Sequence, residues 1–109
     1  MSVSAIAWSY LVIAGLLEAL WAMGLKFSDG FTKPLPSIIT LVLVLTSFFL
    51  LAKSMKVIPV SVAYAVWCAI GIVSLVIIEY IYLNTELNLQ KVGSIVLILI
   101  GIIGLKLSN

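Results

Sequence analysis

The sequence predicts an all-α membrane protein of four transmembrane helices in one domain. Three observations lead there. Of its 109 residues, 64% are hydrophobic and only 9% are charged, too few to cover the surface of a soluble domain of this size. The apolar residues fall into four runs, each with the roughly 20 residues needed to cross a bilayer. The polar breaks between them are short, the longest about nine residues, so any functional site must lie among the helices.

The first run covers about 5–25 and is apolar apart from Ser9 and Glu18. It lacks a positive flank and contains an acid, so it does not read as a cleaved signal peptide. The break at 26–34 leads to a second run, about 35–52, which ends at Lys53. The third run, about 57–83, is interrupted only by Glu79, and the fourth, about 89–107, has Lys91 and Lys106 near its two ends. All four must be helices, because lipid offers no partner to open backbone groups.

Composition also limits the chemistry. The net charge of +2 is too small to suggest nucleic acid, and all six basic residues are Lys, with no Arg fork for phosphate. A single Cys, Cys68, allows no internal disulfide, and without His most metal and acid–base constellations fall away. Neither a cofactor nor an enzymatic role is expected. The lysines divide evenly by topology: Lys53, Lys56 and Lys106 on the side of the N-terminus, Lys26, Lys33 and Lys91 on the other. An even split gives the positive-inside rule nothing to act on. Either the short loops merely carry few charges, or copies insert both ways and pair antiparallel.

Glu18 is the residue with most to explain. An acid near the middle of a span costs about 2.5–3.5 kcal/mol on insertion scales, and such residues usually mark an ion or substrate path. The plainer reading is a protonated Glu hydrogen-bonded to a neighbour. Ala14, Gly15 and Ala22 share its helix face and leave room beside the carboxyl or let another helix approach. Trp21 follows three residues later; Tyr64 and Trp67 are likewise three apart in the third run. Trp8 suits an interfacial anchor, whereas Trp67 is too deep for one. An acid, two indoles and a phenol can form a box for a small organic cation. Ser47 in the second run is a candidate to orient the acid, although a buried Ser commonly bonds its own helix backbone.

Glu79 is only four residues from the end of its run, so reaching the interface is explanation enough for it, and it lies about 120° around the helix from Trp67. In the fourth run Ser94 and Gly101 are seven apart on one face, with Gly93 and Gly104 nearby, which suits close helix–helix contact. Four short helices do not enclose a sizeable polar cavity unaided; two copies with their Glu18 residues facing each other can.

The whole chain closely resembles the small multidrug resistance family of proton-coupled exporters. The resemblance rests on Gly15-Leu16-Leu17-Glu18, the stretch Leu25-Lys26-Phe27-Ser28-Asp29-Gly30-Phe31-Thr32-Lys33, and Pro36-Ser37. It continues in Ser47-Phe48-Phe49-Leu50-Leu51, Pro59, Ala63-Tyr64-Ala65-Val66-Trp67 and Gly71. It implies an antiparallel, dual-topology dimer in a bacterial inner membrane, formed with itself or with a paired homologous subunit. It implies too that Glu18, Trp21, Ser47, Tyr64 and Trp67 line a site for cations and protons. Trp21 and the ending Gly104-Leu105-Lys106 are similar to the guanidinium-exporting branch. Cys68-Ala69, where that branch prefers Thr-Gly, and Gly71-Ile72-Val73 look more like the branch that exports quaternary ammonium and lipophilic cations. Ala69 replaces a glycine that helps the third helix bend, and Glu79 resembles an acid of some paired members.

Overall fold

A computed structural model describes residues 3–108. They form four helices: α1 (Val3–Phe27), α2 (Pro34–Ser54), α3 (Val60–Tyr82) and α4 (Leu89–Ser108). All four are long and apolar enough to cross a membrane. At 1.5 Å per residue α1 is about 37 Å long, and the largest extent of the fold is 40 Å, the depth of a bilayer with its interfacial regions.

α3 begins at Val60 rather than near 57, where hydropathy places it. The physical reason is Pro59, whose φ of −53° and ψ of 143° set an extended entry; the residue before a proline is also pushed out of the helical region. Ile58 is buried to 1% exposure in that turn, so its hydrophobicity serves the core rather than a span.

α1 is the central element, packing along α2 and α3, while α4 leans on α3. The core is a stripe of α1, Ala7, Leu11 and Ala14, set against Leu51 of α2 and Val62, Ala63, Val66 and Trp67 of α3. Small residues fix the crossings. A Cβ at Gly24 would strike the Thr40 hydroxyl, so α1 and α2 meet there at backbone distance. The α1–α2 connection turns through three consecutive left-handed residues, Asp29, Gly30 and Phe31. It is tied by Ser28, whose hydroxyl donates to the Leu25 carbonyl at 2.7 Å and accepts the Phe31 N–H at 3.1 Å. α4 contributes no buried residue among those described.

Candidate functional site

The site grows from the α1–α3 crossing. A Cβ at Gly15 would lie 2.7 Å from Ile70 and 3.4 Å from the Trp67 carbonyl oxygen. Glycine is therefore what lets the two helices approach. One turn further along α1, the Glu18 carboxyl lies directly against Gly71 of α3, so that a Cβ there would meet Oε1. Gly71 is thus the floor on which the half-buried carboxyl rests.

Four rings cluster beside this crossing, with Trp67 at the hub. Its centroid is 6.4 Å from Trp21, 5.7 Å from Phe48 and 5.3 Å from Tyr64, and Phe48 also meets Trp21 edge-on at 6.4 Å. α1, α2 and α3 each supply at least one ring, so the cluster exists only in the folded chain. Tyr64 is 53% exposed; the cluster has an open side.

Ser47 holds Trp67 in place. Its hydroxyl donates to the Ala14 carbonyl at 2.8 Å and accepts the Trp67 indole N–H at 3.0 Å. The other buried hydroxyls, Ser28, Thr40 and Ser54, bond carbonyls three or four residues back; Ser47 alone among these four bridges helices. Its one donor is thereby given to the α1 backbone and not to the Glu18 carboxyl, so its contact with the site runs through Trp67. The indole N–H of Trp21 is the contrasting case, a buried donor without a hydrogen-bond partner among the described residues. It stands one turn beyond Glu18, available to an acceptor arriving at the site.

The structure thus brings Glu18, Gly15, Gly71, Trp21, Ser47, Tyr64 and Trp67 into one neighbourhood. Phe48 belongs there too and escaped the sequence reading, because a phenylalanine inside an apolar run carries no signal of its own. Ser94 and Gly101 do not join the site. Both lie on the exposed face of α4, where Gly93, Gly101 and Gly104 have nothing within 4 Å of an added Cβ. Glu79 is near the end of α3, and its carbonyl accepts the Leu83 and Thr85 N–H groups at 3.0 and 3.1 Å, closing the helix.

Of three surface grooves, none is lined by Glu18. One of them, about 320 Å³, runs between α1 and α3 along Leu16, Ala19, Leu20, Ser74, Ile77 and Ile78.

Comparison with known proteins agrees with this constellation. Residues 6–98 match the family model described as Small Multidrug Resistance protein. A guanidinium exporter of Yersinia pseudotuberculosis is 53% identical over 103 residues, covering 94% of this chain and 99% of its own length. Guanidinium exporters of Escherichia coli strain K12 and Citrobacter freundii are 48% and 46% identical, each covering 94% of this chain and 98% of its own length. The four apolar helices and these bacterial relatives make the chain a multi-pass protein of the bacterial inner membrane. With a family match over most of its length and relatives near half identity throughout, the chain belongs to the small multidrug resistance family.

Proposed function

We propose that this protein is a carrier, not an enzyme, that exchanges small guanidinium-like cations for protons. The observation that carries the reading is the Glu18 carboxyl on its glycine floor, with Trp21 one turn away and Trp67 fixed beside it by Ser47. The name shared by the relatives at 46–53% identity supports the same substrate class.

The proposed carrier is an antiparallel pair in which two Glu18 carboxylates, one from each copy, share a single site. The open side at Tyr64 and the bare small-residue face of α4 around Ser94 and Gly101 both suit a second chain. A bound cation favours the ionised carboxylate, and a proton removes the charge that holds the cation. Each therefore displaces the other. A site that opens alternately to the two sides then turns an inward proton gradient into cation export.

Guanidinium is planar and rich in N–H donors, so it rewards acceptors at fixed positions. A quaternary ammonium has none to donate and depends on aromatic faces. Sites built to hydrogen-bond a ligand discriminate strongly against analogues that lack the group. In proteoliposomes under identical proton gradients, guanidinium is expected to give robust current. Guanidines with one apolar tail should be tolerated, the tail taking the apolar groove of Leu16, Leu20 and Ile77. Bulky polyaromatic cations should give little or none. Strong current from tetraphenylphosphonium with none from guanidinium would assign the chain to lipophilic-cation export, the reading favoured by Cys68-Ala69 and Gly71-Ile72-Val73.

Two further outcomes follow from this arrangement. Expressed alone, the chain should show its C-terminus on both sides of the membrane in comparable amounts by cysteine accessibility. A single orientation would remove the dual-topology pair. Glu79→Gln should leave proton-driven guanidinium current within about twofold of wild type, because surface changes away from the site have small effects. A loss as deep as that of a Glu18 variant would place Glu79 on the proton path.

A further inference from the structure

The two ends of the molecule differ in charge. The end formed by the start of α1, the α2–α3 turn and the close of α4 holds Lys53, Lys56 and Lys106, and none of the four acidic side chains lies there. The opposite end holds Lys26, Lys33 and Lys91 together with Asp29 and Glu86, and Glu79 is one turn inside it.

Two of the three uncompensated lysines converge on one feature. A groove of about 260 Å³ lies between the start of α1 and the end of α2. Its polar members are Lys53, Lys56 and Tyr10, and its apolar wall includes Val3, Ile6 and Ala7. The Lys53 ammonium stands 5.3 Å from the centre of the Phe49 ring, which keeps it beside α2. Lys106 is engaged elsewhere, 5.4 Å from the Trp8 ring and lining a separate groove. Tyr10 is about two turns further into the membrane than Val3. The groove therefore runs from two cations at interfacial depth, along the exposed Val3 and Ile6, to a phenol about two turns deep.

That gradient is the shape of a phospholipid. Two ammonium groups without a carboxylate favour a phosphate, and basic pockets between transmembrane helices hold anionic headgroups. The exposed Val3 and Ile6 suit an acyl chain, and the ring of Tyr10 extends that wall inward. Free phosphate would use only the two lysines and none of the apolar wall. A zwitterionic lipid brings its own cation toward Lys53 and Lys56.

We propose that this groove binds an anionic membrane lipid, its phosphodiester between Lys53 and Lys56 and one acyl chain running along Val3 and Ile6 toward Tyr10. The inference concerns the single chain and is independent of substrate choice. The test titrates purified protein in neutral detergent with phosphatidylglycerol, phosphatidylcholine or inorganic phosphate, reading bound lipid by native mass spectrometry and protection by thermal melting. Phosphatidylglycerol is expected to bind saturably and raise the melting temperature; the other two should do neither. Lys53→Gln with Lys56→Gln should weaken phosphatidylglycerol binding about 30-fold, and Lys56→Gln alone about fivefold. Lys53→Arg with Lys56→Arg should restore it, and Lys33→Gln at the opposite end should change nothing. Equal binding of phosphatidylcholine, or undiminished binding by both glutamine variants, would overturn the proposal. Protection by inorganic phosphate equal to that by the lipid would reassign the groove to a free anion.

Discussion

Glu18→Gln is expected to leave a folded chain whose proton-driven guanidinium current is at background. The substitution keeps the size of the side chain that rests on Gly71, so the α1–α3 crossing survives. It removes the charge and the titrating proton together. Losing one partner of a desolvated, hydrogen-bonded charge pair costs about 2–5 kcal/mol, so guanidinium affinity should fall about 30-fold or more. Coupling should disappear entirely, because Glu18 is the one carboxyl that the chain places at the crossing. Current driven by a pH gradient in this variant would contradict the mechanism.

Gly71→Ala should produce the second large effect, of a different kind. The added methyl would lie 2.6 Å from the Glu18 carboxyl carbon and 3.0 Å from Cγ. The backbone has no reason to yield when a flexible side chain can turn away, at a cost of about 0.5–1.5 kcal/mol if it leaves a preferred rotamer. The expected outcome is a chain that still folds but whose carboxyl is displaced from the aromatic wall. Transport should drop about 10- to 100-fold, the penalty typical of an ångström-scale misplacement of a reacting group. Near-normal transport in a well-folded Gly71→Ala protein would mean that the position of the carboxyl against α3 is immaterial.

The parts of the site legible in the sequence were those that break a local rule. Glu18 is a charge inside an apolar run, and Trp21, Tyr64 and Trp67 are large amphipathic side chains at helical spacing from it or from each other. Each can be found without knowing how the helices pack. What could not be read depended on the register between helices. Gly71 is marked in the sequence by the family resemblance alone, and its place under the carboxyl appears only with the crossing. Ser47 looked suited to the acid, yet packing presents it with the Ala14 carbonyl and the Trp67 indole first. Phe48 becomes a site residue only because Trp21 and Trp67 close around it. At the level of the fold, hydropathy located the spans but not the start of α3, which Pro59 and the buried Ile58 set through backbone geometry and core packing.

The central claim is that one carboxyl holds either a proton or the cation. It is tested most directly by adding guanidinium to purified, weakly buffered protein and recording proton release over a series of pH values. Competition fixes the sign. Protons occupy the carboxyl at low pH, so guanidinium should bind weakly there, more tightly as pH rises through the titration of Glu18, and with no further gain once the carboxyl is ionised. Proton release should be greatest where the site is still protonated but the cation can displace the proton, and absent in Glu18→Gln. Saturable guanidinium binding by the wild-type protein that releases no proton at any pH, with an affinity independent of pH, would contradict the account.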